Sequence, residues 1–179
     1  MARIKPYVAK DCYMMSPNKS SRTGAKPTLI VIHATVSHNR PGNADLRAIG
    51  AWFGSSRSQA SSHVCTDNEG HSARYVWDGD KAWHCAAFNR MSLGIEQILP
   101  ADGSELTTQL YQETARWVAR WSKKFGIPIR HGAVSGFNVT KSGVIRHSEL
   151  GSAGGGHSDP GTYNFDGMLS MARAYRAQL

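Results

Sequence analysis

Residues 28–35 read Thr28-Leu29-Ile30-Val31-Ile32-His33-Ala34-Thr35, and their pattern indicates the fold class. The centre of this stretch, Leu29 to Ile32, is a continuous apolar run of β-favouring side chains. Such a run is typical of a strand that is covered on both faces, as in the sheets of α/β proteins. His33 follows at the carboxyl end of this strand, where ligand sites of α/β sheets commonly lie. The stretch therefore predicts a buried sheet with a candidate functional histidine at its edge.

Outward from this strand, the pattern predicts more strands mixed with helices. Further strands are predicted over Ser61–Thr66, Ala73–Trp77 and Ser92–Ile98. The first two form a hairpin around a turn at 67–70. Helices are predicted after the capping residue Asn43, over Thr107–Phe125 and from Phe165 to Tyr175. The long helix carries an apolar stripe, Leu110, Thr114, Trp117, Val118, Trp121 and Phe125. These elements indicate an α/β fold with a central mixed β-sheet flanked by helices.

Length and composition indicate one globular domain. A chain of 179 residues fits a single domain, which we place at 27–179, after a polar N-terminal extension at 1–26. The net charge of +8 suits an anionic partner such as nucleic acid, an anionic membrane or a cell-wall polymer, with plain solubility as the alternative. Because the basic residues are scattered, without a cluster that includes aromatic side chains, nucleic acid is disfavoured as a partner.

Cysteine usage and hydropathy add three expectations. Cys12, Cys65 and Cys85 are odd in number and lack C-x-x-C spacing, so a disulfide framework is not expected. No apolar run is long enough to span a bilayer, so stable membrane association is not expected. The N-terminus lacks the apolar core of a signal peptide, so we expect synthesis in a cytoplasm. Nothing in the sequence indicates an oligomer.

Four side chains have the chemistry of a hydrolytic zinc site. Glu96 ends the strand Ser92-Leu93-Gly94-Ile95-Glu96, His147 stands in Arg146-His147-Ser148, and Asp159 follows twelve residues after His147. Together with His33, they offer two imidazoles and a carboxylate as ligands, with a second carboxylate free to act as a base. Taken singly, each histidine fits an ordinary hydrogen-bonded residue better than a metal ligand, since sequence spacing does not bring them together.

Six short motifs follow one another along the chain. They are Ile32-His33-Ala34-Thr35, Ser61-Ser62-His63 with the turn at 67–70, Ala82-Trp83-His84, Ser92–Glu96, Arg146-His147-Ser148 and Asp159-Pro160-Gly161. Their order resembles that of the zinc-dependent N-acetylmuramoyl-L-alanine amidases, which are related to peptidoglycan recognition proteins. The resemblance runs from about Thr28 to the C-terminus.

The resemblance implies roles for individual residues. His33, His147 and Asp159 correspond to the three ligands of one Zn²⁺ per chain. Glu96 corresponds to the carboxylate that activates the attacking water. His157 stands where many relatives have a lysine that supports the oxyanion, and a histidine can donate the same hydrogen bond with a charge that depends on pH. A purely structural role for His157 in the glycine-rich loop is the alternative.

The resemblance also implies a substrate groove. We expect Thr35, Trp83, His84, Asn89 and Arg90 to line it, with Arg90 pairing with a carboxylate of the stem peptide. Core packing is the alternative for Trp83 and His84, and a solvated loop charge is the alternative for Arg90.

The implied function is hydrolysis of the amide bond between N-acetylmuramic acid and L-alanine in peptidoglycan. The implied setting is a bacteriophage endolysin that is made in the host cytoplasm and reaches the anionic wall after another protein permeabilises the membrane. A non-catalytic peptidoglycan-binding module on the same fold is the alternative. The full ligand set with Glu96 favours catalysis, because a pure binder needs neither an open zinc site nor a base. Since Ser62 replaces a tyrosine that some relatives have, Glu96 is the expected base.

Overall fold

The computed structural model describes residues 14–38, 40–100 and 106–179. Its strands are β1 Lys19–Ser21, β2 Leu29–Ile32, β3 Thr35–Ser37, β4 Val64–Thr66, β5 Ser72–Arg74, β6 Asp80–Ala82, β7 Ser92–Pro100, β8 Ala133–Ser135, β9 Asn138–Lys141 and β10 Gly143–Arg146. Its α-helices are α1 Ala44–Gly54, α2 Thr108–Phe125 and α3 Phe165–Arg176. Short 3₁₀ helices span Ser56–Ser58, Ala86–Met91 and His147–Gly154.

The central sheet has the strand order β10-β2-β7-β4-β5. The first four strands are parallel, β5 is antiparallel to β4, and β3 pairs with the second half of β7. Strand β2 has hydrogen-bonded neighbours on both sides, and none of Leu29 to Ile32 is exposed. The predicted α/β class with a central mixed sheet and flanking helices is therefore confirmed.

Both faces of the sheet are covered, because successive side chains of β2 point to opposite faces. Ile30 and Ile32 pack in one cluster with Trp117 and Trp121 of α2 and with residues of α3. The side chains between them, at positions 29 and 31, pack on the other face with Phe88 and with residues around the 3₁₀ helices. Burial of each such large side chain contributes about 1.5–3 kcal/mol. This two-sided burial keeps the carboxyl ends of the central strands in fixed positions.

The long helix forms where the amphipathic stripe predicts it. The Thr107 side chain accepts a hydrogen bond from the backbone N–H of Leu110 and caps its start. Gly126 ends the helix with φ of 73°, in the left-handed region that favours glycine. Trp117 and Trp121 are buried in the core, as predicted.

Several boundaries differ from the prediction, because pairing between distant segments decides them. The strand predicted from Ser61 begins only at Val64, and its hairpin partner ends at Arg74 rather than Trp77. Strands β1, β3, β6, β8, β9 and β10 were not predicted. Of the three cysteines, the two in the described residues, Cys65 and Cys85, are buried free thiols. In the same part of the chain, no helix has the length and apolar character that a membrane span requires.

The predicted N-terminal extension is described from residue 14 onward, and residues 1–13 with Cys12 lie outside the described residues. Strand β1 within it pairs with β6. The buried Asn18 side chain donates hydrogen bonds to backbone carbonyls of Phe53, Ser55 and Ala60. Residues 14–26 therefore pack against the domain, while a domain boundary at residue 27 stays a prediction.

Candidate metal centre and cleft

The two histidines of the candidate site come together through sheet register. His33 follows β2, and His147 follows β10. These strands are parallel neighbours in which Ile32 is paired with Arg146, so the next residue of each strand emerges at the same edge. The His33 backbone N–H donates to the carbonyl of Ile95 in β7, which fixes the ring position from the other side. As a result, the Nδ1 atoms of His33 and His147 lie 3.0 Å apart, although 114 residues separate them.

Asp159 completes the cluster. Its backbone carbonyl accepts a hydrogen bond of 2.9 Å from the Ser148 N–H, which ties the end of the glycine-rich loop to the residue after His147. Its Oδ1 lies 3.0 Å from His147 Nδ1, and its Oδ2 lies 3.6 Å from His33 Nδ1. The Ala34 N–H donates to Oδ2 at 3.1 Å. The three candidate ligand atoms all lie within 4.8 Å of one another.

The donor set of this cluster fits a zinc ion. His147 Nε2 lies 3.0 Å from the Gly154 carbonyl oxygen, which can only accept, so Nε2 carries a proton and Nδ1 is the nitrogen that faces the cluster. Burial lowers the pKa of His33 to about 4, which keeps that ring neutral at pH 7. Burial alone would raise the pKa of Asp159, but interactions with His147 and His33 outweigh it and hold that pKa below its usual range. Two nitrogen ligands and an ionised carboxylate thus converge where a cation is favoured.

Glu96 lies beside this cluster on β7, which is the strand next to β2. Its side chain is half-buried and lines the same cleft as His33, His147 and Asp159. Burial, together with the charge of Asp159, raises the pKa of Glu96 to about 8. In the metal-free protein Glu96 is therefore protonated at pH 7, and a cation among the ligands would favour its ionised form. A carboxyl group whose pKa lies close to neutral pH is suited to taking up and releasing a proton.

His157 also borders the cleft. Its ring is exposed and stacks on the His147 ring, with centroids 4.5 Å apart and planes inclined by 20°. It is therefore held next to the candidate ligands, in a position compatible with either of the two roles predicted for it.

The predicted groove residues divide into two groups. Thr35, Trp83, His84 and Asn89 line the cleft, whose volume is about 490 Å³. Arg90 lies outside this lining, and its guanidinium donates to the backbone carbonyls of residues 22 and 23 at 3.0 and 3.3 Å. The binding role of each of these residues stays a prediction.

His84 and Asn89 also have structural partners. His84 Nδ1 lies 2.8 Å from His33 Nε2, on the side of the His33 ring that faces away from the cluster. Burial, with the charges of neighbouring histidines, lowers the pKa of His84 well below its usual value. The Asn89 side-chain oxygen accepts hydrogen bonds from the backbone N–H groups of His84 and Cys85 at 2.8 and 2.7 Å. Asn89 thus holds the loop that carries His84.

Trp52 is a cleft residue that sequence reasoning missed. It lies on α1, is 58% exposed, and borders the same cleft as Trp83. The helical spacing of Leu46, Ile49 and Phe53 marks the buried side of α1. Trp52 lies off that stripe, so the sequence could have indicated that its side chain is exposed and available to line a cleft.

Comparisons with known proteins agree with this geometry. The solved structure of a selenomethionine AmpD derivative is similar over 96% of this chain and 99% of that one, with 19% identity and a TM-score of 0.67. The hydrolase AmiA from Staphylococcus aureus, in complex with its ligand, is similar over 92% and 80%, with 15% identity and a TM-score of 0.71. The endolysin N-acetylmuramoyl-L-alanine amidase LysCS from Clostridium intestinale is similar over 94% and 99%, with 16% identity and a TM-score of 0.60. At these identities the likeness shows a shared fold.

The family comparison goes further than the fold. No curated protein sequence matches this chain. The family profile of Amidase_2, described as N-acetylmuramoyl-L-alanine amidase, matches residues 23–162. That range includes Glu96 and all three candidate ligands, and it spans well over half of the chain. The chain therefore belongs to the Amidase_2 family of N-acetylmuramoyl-L-alanine amidases.

Proposed function

We propose that this chain is a zinc-dependent hydrolase that cleaves the amide bond between N-acetylmuramic acid and L-alanine in peptidoglycan. The observation that carries the proposal is the convergence of His33, His147 and Asp159 within 4.8 Å, beside Glu96 in one cleft. Membership of the amidase family supports the substrate class.

The metal would be held by His33 Nδ1, His147 Nδ1 and the Asp159 carboxylate. Three protein ligands are typical of catalytic zinc sites, which keep a further position open. When bound, Zn²⁺ supplies Lewis acidity to the scissile carbonyl and to water at this site.

Glu96 is proposed to move the proton. As a carboxylate it accepts a proton from the attacking water, and as a carboxylic acid it returns that proton to the nitrogen of the departing L-alanine. Its partial burial suits both states, because a group whose pKa lies near the working pH is an efficient proton carrier in both directions. His157 is proposed to donate a hydrogen bond to the oxygen that becomes negative on the scissile carbonyl.

The cleft is proposed to hold one muramyl-peptide unit. Trp52 and Trp83 offer aromatic surface on its sides, and Thr35 offers a hydroxyl group near His33. Apolar walls with a few polar groups are typical of sites that orient a small ligand.

The proposed setting is lysis of a bacterial host by an endolysin, after separate permeabilisation of its membrane. Two observations support it: the likeness to the LysCS endolysin, and a net charge of +8 that favours adsorption to an anionic wall. Lysis of permeabilised cells, with intact cells resisting, is the expected result. Equal lysis of intact cells would contradict the need for permeabilisation.

Digestion of purified peptidoglycan, followed by mass spectrometry of the fragments, tests the central proposal. We expect stem peptides with a free L-alanine amine and glycan strands with a free lactyl carboxylate. The chain should contain about one zinc ion, and the Asp159→Asn variant is the matched control that keeps volume while removing a ligand charge. Zinc-loaded protein that leaves the linkage intact, or active protein without metal, would overturn the proposal.

A further inference from the structure

A chain of polar side chains runs from His33 away from the candidate metal position. His33 Nε2 lies 2.8 Å from His84 Nδ1, and His84 Nε2 lies 3.1 Å from Ser92 Oγ. Ser92 Oγ lies 2.8 Å from the backbone carbonyl oxygen of Phe88. This series of hydrogen-bonded groups starts at His33, at the end of β2, and ends at the buried residues Ser92 and Phe88.

The end of this chain fixes the direction of every proton in it. The Phe88 carbonyl can only accept, so the Ser92 hydroxyl donates its single proton there. Ser92 Oγ then accepts from His84 Nε2, and also from the Cys85 thiol, whose sulfur lies 3.1 Å away. A neutral His84 ring that carries its proton on Nε2 has a lone pair on Nδ1. His33 must then donate from Nε2, which leaves its own lone pair on Nδ1.

The packing around His84 leaves its ring little freedom to change position. A Cβ atom at Gly94 would lie 2.7 Å from His84 Nδ1 and 2.9 Å from Cγ, so the ring can lie against β7 only because residue 94 is glycine. The rings of His33 and His84 meet edge to face, with centroids 4.9 Å apart. The segment Ser92-Leu93-Gly94 thus supplies both the hydroxyl group that orients His84 and the space that its ring needs.

We propose that His84 is a positioning residue for the metal site: it accepts the Nε2 proton of His33 and so holds His33 in the tautomer whose Nδ1 lone pair faces His147 and Asp159. The inference rests on the proposed use of a metal by this site. Zinc-ligating histidines generally donate their second ring N–H to a fixed acceptor, which sets tautomer and orientation. In this chain the acceptor is another imidazole, itself oriented by a serine.

Zinc affinity of the full chain is the first test, measured by competition with a chromophoric chelator. His84→Leu should weaken zinc binding roughly 10–100-fold, the range typical for loss of such a partner. His84→Asn places an amide oxygen in reach of His33 Nε2 and should recover part of that loss. Ser92→Ala should weaken binding by a smaller factor. His71→Gln, in the turn after β4, is a control that should bind zinc like the parent.

The tautomer itself is the second test, read in the metal-free protein by ¹⁵N NMR of labelled histidine. We expect His33 to be protonated at Nε2 and unprotonated at Nδ1 in the parent, and to lose this preference in His84→Leu and Ser92→Ala. A His33 ring protonated at Nδ1 in the parent, or folded His84→Leu protein with unchanged zinc affinity, would overturn the proposal. Because this measurement needs no metal, it stands apart from the proposed function, which fails if the parent binds no zinc.

Discussion

His33 and His63 are both buried beside the same strand, yet their surroundings differ. His33 is 2% exposed and His63 is fully buried. Burial lowers the pKa of His33 to about 4 and that of His63 to about 3, so both rings are neutral at pH 7. The Gly94 N–H donates to His63 Nδ1 at 2.9 Å, and His63 Nε2 lies 3.2 Å from the Asp80 carbonyl oxygen. Backbone groups thus contact both nitrogens of His63, and the Arg22 guanidinium also lies 2.8 Å from Nε2.

Among the described residues, neither ring nitrogen of His33 has a backbone partner. Its Nε2 lies next to His84, while its Nδ1 faces a second imidazole nitrogen and a carboxylate. The difference separates a histidine with structural partners from one that we propose as a metal ligand. It shows that burial and a lowered pKa do not by themselves identify a functional histidine, and that the partner of each ring nitrogen does.

The first prediction tests whether His33 and His63 differ in role by removing each ring in turn. His33→Ala should abolish tight zinc binding and lower the rate of peptidoglycan hydrolysis by about 10⁴-fold or more, equal to about 5 kcal/mol. His63→Ala should retain zinc but lower the free energy of unfolding by about 2–4 kcal/mol, because it leaves a cavity and two unpaired backbone groups. Zinc content, the rate of peptidoglycan hydrolysis and urea unfolding of both variants measure these effects. Equal losses of zinc in both variants would end the distinction.

The second prediction concerns Glu96, whose carboxyl group lines the same cleft as His33. Glu96→Gln should keep zinc and lower the rate by roughly 10²–10⁴-fold, the usual contribution of a general acid–base group. The pKa of Glu96 is raised to about 8 by burial and by Asp159, whereas the unfolded chain ionises at 4.5. Ionisation in the unfolded chain alone therefore destabilises the metal-free fold as pH rises through this window.

Removing that ionisable group should make metal-free Glu96→Gln more stable than the parent at pH 7, by about 1–2 kcal/mol after allowance for partial exposure. Thermal unfolding in the presence of chelator measures this. Near-full activity with unchanged zinc would show that another group carries the proton, and a lower melting temperature would contradict the origin of the pKa shift.

The fold was predictable where local composition decides it. Leu29–Ile32 is a strand because its apolar run is long enough to be buried on both faces. In Ser92–Glu96 the apolar residues Leu93 and Ile95 pack in the core, and the stripe of α2 follows helical spacing. Strand β10 was missed because Gly143–Arg146 is short and begins with glycine. It forms through its parallel pairing with β2, which local sequence does not contain.

The sequence selects candidate residues for the site but does not show how close together they lie. Resemblance of ordered motifs selected His33, Glu96, His147 and Asp159, whereas the contact of His33 with His147 depends on the register of two strands far apart in sequence. His84 was expected in the groove, and its contact behind His33 could not be predicted, since a motif does not show which partner each ring nitrogen meets.

The third prediction concerns the pH dependence of stability that the buried His63 ring causes. A histidine whose folded pKa is depressed stabilises fully above the unfolded value of 6.5, and this stabilisation is lost as pH falls towards the folded pKa, about 3 for His63. His63→Gln should therefore lose less stability than the parent between pH 7 and pH 5, by about 2 kcal/mol. Urea midpoints at the two pH values measure the difference. Parallel losses in parent and variant would show that His63 does not titrate on unfolding.

The smallest expected effect concerns Arg90, which was expected to bind substrate. Its guanidinium donates to the backbone carbonyls of Arg22 and Thr23, and Arg22 Nη2 in turn lies 2.8 Å from His63 Nε2. These contacts tie Arg90 to the loop behind His63, while its substrate-binding role stays a prediction that the following measurement tests. Arg90→Ala should lower the free energy of unfolding by about 1 kcal/mol, as expected for the loss of one part-buried and one exposed hydrogen bond to backbone carbonyls. Its KM for muramyl peptides should stay at the parent value, since the side chain lies outside the cleft lining. A several-fold increase in KM without loss of stability would instead assign Arg90 to the stem-peptide carboxylate and extend the substrate site beyond the cleft.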